Sequence, residues 1–568
     1  MNKFFLYSFI LLLTSLSQVK GQSVTTDTKG TLTTEQVSVV KDYEPSISNA
    51  IRISESPIIQ EANIEKQKIN YPLITKQYKT SFNVEPIAHA TIKGEPLLKL
   101  NNHYIKLGFG NYNTPFGEYY FNSTRDKKYN YYVKAKHFSS TASMDKAFYP
   151  GISENAIEGA GTYLFQNYTL TGNLDITRNV VHFYGHKEGI DTMPYYDSLR
   201  ISKDIFYQRF ANVGFNAKLE SKFTDSAAIN YVGNLKYYTY FDNLGASETH
   251  FNTNGDLGKY MNGEWMGANV GLQYFNNYNS ILEKQDNVLV NVSPRAEMKR
   301  SKLKLKIGVQ AFIDAGKTSY FRFYPDAEAR YSILNTYLGL YAGITGKTYR
   351  NSYKDLSTVN PFVESTIELK NSYQKINLYA GLFGNFGSRM NYDAGVNYKQ
   401  VENLPLFYNN YYSFLQNKFD VVYDTVKITN LYGELGYQIA EKLKIKAKAN
   451  LYNYVTSNQE FAWHLPLYDA TLNAAYSLKQ KINIGLDLYY VGLRRARAFE
   501  YVNDSLGIQP MKVSMKDIID FNLYTEYRYT KNISAFLRLN NMASMRYYRW
   551  NNYASQRFNF LMGFTYAF

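Results

Sequence analysis

Cysteine is absent from the 568-residue chain, and proline is scarce, with 14 residues. Without cysteine the chain has no disulfide framework, no thiol chemistry, no cysteine-ligated metal site and no lipid-bearing cysteine. Long hydrophobic runs are also missing after the first residues, and the mean hydropathy is −0.40. A membrane-spanning helix needs roughly 20 apolar residues, so the sequence predicts no such helix.

The first residues have the pattern of a secretory signal. Lys3 precedes the apolar run Phe4–Leu13, and a polar stretch leads to Val19–Gly21. A basic start, a short apolar core and a small residue at the cleavage point are typical of exported chains. We predict that residues 1–21 are a signal peptide.

Aromatic residues and positive charge are abundant. The chain contains 56 tyrosines and 35 phenylalanines, and its formal net charge is +15. Aromatic residues favour strands, and a net positive charge favours an anionic partner. In an exported protein we expect that partner to be lipid headgroups, lipopolysaccharide or a solute, and we predict no nucleic-acid binding.

Much of the chain after residue 100 reads as amphipathic strands. Apolar residues alternate with polar or small residues at 302–311, 442–451, 482–490 and 519–528. A period of two gives each strand one apolar and one polar face. A soluble array would have to bury about twenty such faces against a second sheet. Hydrocarbon accepts all of them if the sheet closes, because closure also pairs every backbone group.

The connections between these strands alternate in length. Short turns are predicted at 300–302, 441–442, 479–481 and 530–532, and longer polar loops at 179–205, 492–516 and 541–556. Short turns on the periplasmic side and long loops outside are the outer-membrane pattern. We therefore predict an all-β fold, a transmembrane antiparallel β-barrel of about 22 strands (roughly 18–24) in a bacterial outer membrane. The barrel is predicted to cover residues 100–568.

Two segments resemble the barrel of TonB-dependent receptors. LNNMASMRYYRWNNYASQRFNFLMGFTYAF (539–568) is similar to the end of such a barrel, and YDATLNAAYSLKQKINIGLDLYYVG (468–492) to an earlier hairpin. The resemblance implies a large outer-membrane barrel that binds or passes a solute. Receptors of this family carry a folded plug before the barrel, whereas here only residues 22–103 separate the predicted signal peptide from the first clear strand.

The segment before the barrel carries a second resemblance. VVKDYEPSISNAIRISESPIIQ (39–60) and FNVEPIAHATIKGEPLLKL (82–100) resemble outer-membrane proteins of the Bacteroidota that carry the receptor name without a full plug. Residues 35–40 faintly resemble a TonB-binding box. We expect residues 22–99 to dock in the lumen, beneath the barrel, or on another outer-membrane or periplasmic protein, with a disordered tether as the alternative.

The chain ends on an alternating aromatic strand. Phe558, Phe560, Met562, Phe564, Tyr566 and Phe568 occupy every second position. We expect these residues to face lipid, and Gly563, Thr565 and Ala567 to face the interior. The ending also resembles the signal by which barrel-insertion machinery recognises its clients, which assigns that role to Phe560, Phe564, Tyr566 and Phe568.

Basic residues are the candidate functional side chains. A stripe of lysines is predicted to line the lumen from the periplasmic mouth: Lys302, Lys304, Lys306, Lys442, Lys444, Lys446 and Lys448. Such a stripe favours anionic solutes, unless the lysines are solvated at the rim or paired with neighbouring carboxylates. Arg494, Arg495 and Arg497 begin a predicted external loop. They are candidates for gripping phosphate or carboxylate, with a solvated loop or an intramolecular pair as the alternative.

No catalytic motif or cofactor site is predicted. The seven histidines are scattered singly, and the chain contains no GxSxG motif and no P-loop. We predict a non-enzymatic barrel that binds or passes a solute through a partly basic lumen. The alternative is a non-transporting barrel subunit of a multi-protein outer-membrane machine for protein insertion or secretion.

Overall fold

The computed structural model describes residues 100–568 except 125, 143, 145–146, 188, 190–195, 197–201, 223–227, 280, 282–283, 317, 414, 441 and 503–506. The predicted signal peptide (1–21) and N-terminal segment (22–99) lie outside the described residues. Among the described residues, no helix is long and apolar enough to cross a bilayer.

Twenty-two strands form one closed sheet in which every pair of neighbours is antiparallel. The barrel strands are β1 (His103–Gly110), β2 (Thr114–Asn122), β3 (Tyr129–Ser140), β4 (Ile152–Leu164), β5 (Tyr168–His182), β6 (Tyr207–Ser221), β7 (Asn230–Asp242), β8 (Ser247–Met261), β9 (Glu264–Tyr278), β10 (Gln285–Lys299), β11 (Leu303–Ala315), β12 (Ser319–Leu334), β13 (Leu338–Tyr349), β14 (Ser372–Phe386), β15 (Met390–Asn409), β16 (Phe419–Ile439), β17 (Leu443–Thr456), β18 (Tyr468–Leu478), β19 (Ile482–Val491), β22 (Ile518–Arg528), β23 (Ile533–Asn540) and β26 (Asn559–Ala567). The predicted barrel of about 22 strands is confirmed.

The remaining elements lie in the connections between barrel strands. They are the hairpin of β20 (Arg494–Val502) with β21 (Gly507–Met515), the short hairpin of β24 (Tyr548–Trp550) with β25 (Tyr553–Ala554), and helix α1 (Tyr353–Val359). The helix begins where the Ser352 hydroxyl accepts a hydrogen bond from the backbone N–H of Asp355, which is a typical helix N-cap.

The period-two pattern of the sequence becomes the two faces of the barrel wall. On β11, Ile307 is 56% exposed and Ile313 is 46% exposed, whereas Phe312 and Asp314 are buried. The exposed apolar side chains point outward, and the intervening residues point into the lumen. An apolar outer surface on a closed sheet is the arrangement that hydrocarbon requires, because no backbone polar group is left unpaired.

The seam of the barrel is the pairing of β1 with β26, in which Gly108 lies opposite Gly563. The last residue continues this pairing, since the backbone N–H groups of Asn102 and His103 both donate to the Phe568 carbonyl oxygen at 3.0 Å. The Phe568 ring stacks on the His103 ring with 4.8 Å between centroids. Phe568 is therefore part of the closure.

The faces of β26 agree with the sequence pattern. Met562, Phe564 and Tyr566 are exposed on the outer surface, and Leu561 and Thr565 are buried on the lumen side. The predicted orientation of the closing strand is confirmed. Its role as an assembly signal stays a prediction.

The two ends of the barrel differ in their connections. We name one end of the barrel the short-turn end. Its connections include 165–167, 262–263, 300–302, 335–337, 387–389, 440–442, 479–481 and 529–532. We name the opposite end the long-loop end, and its connections include 183–206, 350–371, 410–418, 457–467, 492–517 and 541–558. The alternation of these connections agrees with the predicted pattern, whereas 111–113, 243–246 and 316–318 are short connections at the long-loop end.

Three loop predictions need correction. Residues 179–182 belong to β5, so the loop predicted at 179–205 begins at Phe183. The segments predicted as polar loops at 492–516 and 541–556 contain the hairpins β20–β21 and β24–β25. The two strands of each hairpin pair with each other within one connection, so neither of them is part of the barrel ring.

Replacing Gly563 with valine is expected to disrupt the seam. A Cβ atom at this position would collide with the backbone carbonyl oxygen of Leu107 on β1, and overpacking costs about 1–3 kcal/mol or more. The folded fraction in membranes, read from heat-modifiable gel mobility, should fall. Gly433→Val is the matched control, because a Cβ there meets nothing within 4 Å. Equal folding of both variants would contradict the steric argument.

Deletion of Phe568 is expected to lower membrane assembly. The deletion removes the carbonyl that accepts from Asn102 and His103 and the ring that stacks on His103. Assembly is measured as the heat-modifiable, urea-resistant fraction of the chain in membranes. Tyr529→Ala is the control, since Tyr529 is an exposed aromatic in a turn at the same end of the barrel. Normal assembly of the deletion variant would refute the role of the terminal aromatic.

Candidate functional site

We name the connections 183–206, 350–371, 457–467, 492–517 and 541–558, which pack together at the long-loop end, the loop cap. One aromatic core joins three of them. Phe362 of connection 350–371 stacks on Tyr553 of connection 541–558, with ring centroids 3.6 Å apart. Tyr184 of connection 183–206 meets the same Tyr553 ring edge-on at 4.9 Å. Trp550 packs against Phe419 at the start of β16, at 5.6 Å. These side chains form a buried cluster.

The connections in this core come from distant parts of the barrel rim. Connections 183–206, 350–371 and 541–558 follow β5, β13 and β23, which are spaced about a third of the ring apart. Loops rooted so far apart can touch only if they extend across the opening. The loop cap therefore covers the mouth at the long-loop end, and its aromatic core holds it in that position.

Connection 350–371 also attaches to the inner wall through two carboxylates. Asp242, at the end of β7, accepts hydrogen bonds from the Tyr353 hydroxyl at 2.5 Å and the Ser365 hydroxyl at 2.5 Å. Gln208 of β6 donates to the same Asp242 oxygen at 2.9 Å. Glu248 of β8 accepts the Tyr353 backbone N–H at 2.6 Å.

The wall carboxylates Asp242 and Glu248 accept hydrogen bonds from groups that stay protonated. Glu248 is fully buried and accepts a second hydrogen bond, from the Tyr238 hydroxyl at 2.7 Å. Burial, and then the Asp242 carboxylate, raise the pKa of Tyr353 well above its usual value. The Tyr353 phenol therefore stays protonated and remains a donor. A buried carboxylate is stable only when it is hydrogen-bonded, so loop and wall stabilise each other.

Helix α1 makes two further contacts with the wall. The Lys354 ammonium donates to Asn212 Oδ1 at 2.6 Å and lies 4.2 Å from the centroid of the Tyr238 ring. The Ser357 hydroxyl lies 2.7 Å from the Tyr240 hydroxyl. Because these wall residues belong to β6 and β7, the helix rests against a part of the ring far from its own strands.

The predicted lysine stripe is divided between two separate strands. The strand lysines of β11 and β17 point into the lumen near the short-turn end, and Lys302 and Lys442 lie in the adjoining turns. Lys306 pairs with Asp326 at 2.7 Å, and Lys446 pairs with Glu434 at 3.0 Å.

The other strand lysines differ in their surroundings. Lys448 lies opposite Glu434 in the pairing of β16 with β17. Lys304 and Lys444 are exposed in the lumen, and neither makes an ion pair with a described residue. The sequence left open whether these lysines are solvated or paired with carboxylates, and the structure contains lysines of both kinds.

The three predicted loop arginines hold the hairpin β20–β21 in the cap. Arg494 is buried and donates to the backbone oxygens of Arg549 and Lys516, both at 2.9 Å. The Arg495 guanidinium lies 4.2 Å from the Phe461 ring centroid. Burial lowers the pKa of Arg494 to about 10, so its guanidinium remains charged at neutral pH.

Arg497 completes this set. Its Nη1 donates to Gln459 Oε1 at 3.1 Å. All three arginines thus make intramolecular contacts, which was the alternative to anion binding, and binding of an external anion by them stays a prediction. Among the described residues, no group of three or more histidine, aspartate or glutamate side chains has the arrangement of a metal site.

The sequence did not single out Asp242, Glu248 or Tyr353. The two carboxylates flank the short turn between β7 and β8, where acidic residues are common and carry no special pattern. Their importance comes from connection 350–371, which lies more than a hundred positions further along the chain, as the spacing of Tyr353 from Glu248 shows. No local pattern in the sequence marks such a contact.

A cavity of about 240 Å³ lies inside the loop cap. Helix α1 forms one side, and β15 and the connections 457–467 and 541–558 form the others. Two of the three tryptophans of the chain, Trp463 and Trp550, line it.

No protein-family model matches the chain, and no curated protein matches its sequence. The closed barrel and its apolar exterior are the form in which β-strands cross a bacterial outer membrane. The predicted localisation is therefore confirmed by the fold.

Solved structures of outer-membrane receptors are similar to this chain. The ferripyoverdine receptor of Pseudomonas aeruginosa has a TM-score of 0.59 at 15% identity, covering 84% of this chain and 72% of the receptor. The FrpB iron transporter of Neisseria meningitidis (F3-3 variant) has a TM-score of 0.62 at 10% identity, with coverages of 83% and 82%. The siderophore receptor PirA of Acinetobacter baumannii has a TM-score of 0.61 at 9% identity, with coverages of 84% and 81%. At these identities the similarity shows that the chain shares their barrel fold.

Proposed function

We propose that this chain is an outer-membrane uptake barrel in which the loop cap controls entry of a solute from the long-loop side. The observation that carries the proposal is the cap itself, whose aromatic core and wall carboxylates hold connection 350–371 across the mouth. The similar structures include a ferripyoverdine receptor and an iron transporter, and these names support uptake as the general role.

The loops of the cap are held by side-chain contacts, which a bound solute can replace. A ligand shifts a loop equilibrium only as far as it binds the open state better than the closed state. The solute of this barrel would therefore interact with cap residues or with the wall that the cap covers. Below the cap, the exposed Lys304 and Lys444 would favour anionic solutes.

The N-terminal segment belongs to the same proposal. Residues 22–99 follow the predicted signal peptide and precede β1, so they would enter at the short-turn end. We propose that they dock in the lumen or on a periplasmic partner in place of a full plug. A non-transporting subunit of an outer-membrane machine is the alternative, and the conductance experiments below separate the two functions.

Opening of the cap is tested with Phe362→Ala combined with Tyr553→Ala. Loss of two stacked aromatic rings removes about 3–5 kcal/mol each from a buried core, so the cap should open. Planar-bilayer conductance of the purified chain should rise well above the wild-type value. Tyr412→Ala is the matched control, because Tyr412 lies in connection 410–418 and is 81% exposed.

Two results would contradict this role of the cap. One is unchanged conductance in a folded double variant, and the other is an equal rise in the Tyr412→Ala control. Absence of conductance in every variant, together with stable co-purification of other outer-membrane proteins, would favour the non-transporting subunit.

Anion preference is tested by Lys304→Glu with Lys444→Glu in the cap-open background. Reversal of two solvated lumen charges should shift the reversal potential in a salt gradient toward cation selectivity, and high salt should weaken the shift through screening. Lys479→Glu with Lys481→Glu makes the same change of charge in a turn at the same end. Equal shifts from both pairs would show that position in the lumen does not matter, which would refute the lysine stripe.

A further inference from the structure

The cavity in the loop cap has a mostly apolar and aromatic lining. Trp463, Trp550 and Phe407 line it together with Leu356 of helix α1. Phe407 and Trp550 pack edge-to-face with 5.2 Å between their ring centroids. Aromatic rings in mutual contact are held in fixed orientations, so the lining presents a preformed apolar surface.

One charged side chain faces this surface. Asp355 of α1 is the only formally charged residue among the described residues that line the cavity. It is exposed, and its carboxylate makes no ion pair with a described residue. The adjacent Lys354 attracts it at a distance but makes no ion pair with it, because that ammonium donates to Asn212 and lies over the Tyr238 ring.

The histidine of the lining is neutral. His464 is buried, and its Nδ1 lies 3.0 Å from the Phe407 carbonyl oxygen. Burial lowers the pKa of His464 to about 3, so the imidazole carries no charge at neutral pH. Arg494, whose charge also lowers the pKa of His464, does not line the cavity and donates to the backbone carbonyls of Arg549 and Lys516. The charge of the lining is therefore that of Asp355.

An exposed carboxylate beside aromatic rings is the chemistry that recognises an organic cation. A quaternary or primary ammonium is attracted by the quadrupole of the aromatic rings and by the charge of the carboxylate. The cavity volume is below the roughly 300–1,000 Å³ of sites for drug-sized ligands, which limits the ligand, or the part of it that enters, to a small group.

We infer that the cavity bounded by α1, Trp463 and Trp550 is a binding site for a small organic cation with an apolar body. This goes beyond the proposed uptake function, because the binding site is formed by the cap and the adjoining end of β15 and does not require that the barrel conducts. Since α1 forms one side of the cavity and is also attached to the inner wall, an occupant would contact the element that closes the mouth.

Intrinsic fluorescence reports on this site directly. Of the three tryptophans, Trp265 lies on β9, away from the cavity, so Trp265→Phe leaves only Trp463 and Trp550 as emitters. The full chain in detergent is titrated with choline and with 3,3-dimethylbutan-1-ol, its uncharged isostere. We expect a saturable change in emission with choline and about tenfold weaker binding of the alcohol.

The carboxylate is tested by Asp355→Asn and Asp355→Glu. The asparagine variant should weaken choline binding by about two- to fivefold, as expected for loss of an exposed ion pair, and leave the alcohol unaffected, whereas the glutamate variant should keep most of the choline affinity. Glu368→Gln is the matched control, since Glu368 is an exposed carboxylate of the same connection that lies outside the cavity. Heat-modifiable gel mobility verifies that each variant is folded.

Three outcomes would overturn the inference: no saturable signal with choline, equal affinity for choline and the alcohol, or equal effects of Asp355→Asn and Glu368→Gln. None of these readouts uses conductance. Failure of the cation site therefore leaves the cap-gated uptake proposal standing, and failure of the conductance tests leaves the cation site standing.

Discussion

The structure depends on one constraint, that every backbone N–H and C=O group within hydrocarbon must find a partner in the chain. A sheet satisfies this requirement only by closing, because an open edge would leave a row of unpaired groups in lipid. Closure depends on β1 and β26, and within that seam on Gly563, where no side chain fits between the strands. Outward apolar side chains and a polar lumen follow from the same closure.

Closure of the ring also brings the long connections together. Once the strands are fixed, connections 183–206, 350–371 and 541–558 rise from separate thirds of one rim, and their aromatic residues are buried against one another and against the inner wall. The shared core, with Tyr553 at its centre, is therefore a consequence of barrel geometry. Asp242 and Glu248 fix the position of α1, because hydrogen bonds to these two carboxylates hold the helix against one part of the wall.

Charge is distributed unevenly along the axis of the molecule. Lysines lie in the lumen near the short-turn end, some solvated and some paired with carboxylates of the adjacent strand. At the long-loop end, arginines such as Arg494 hold a hairpin in place, and among the described residues that line the cavity of the cap only Asp355 is charged. A solute passing through the barrel would therefore meet different electrostatic environments at the two ends, despite the net positive charge of the chain.

The sequence by itself determined the strands, their two faces and the closing role of FNFLMGFTYAF, because alternation of side chains is a local property with a fixed period of two. It also predicted that lysines of β11 and β17 share the lumen face. It did not reveal Asp326 or Glu434 as their partners, nor the attachment of Tyr353 to Glu248. Only the tertiary structure decided these contacts and the cavity between α1 and the tryptophans, because they depend on which loops and neighbouring strands meet after the ring closes.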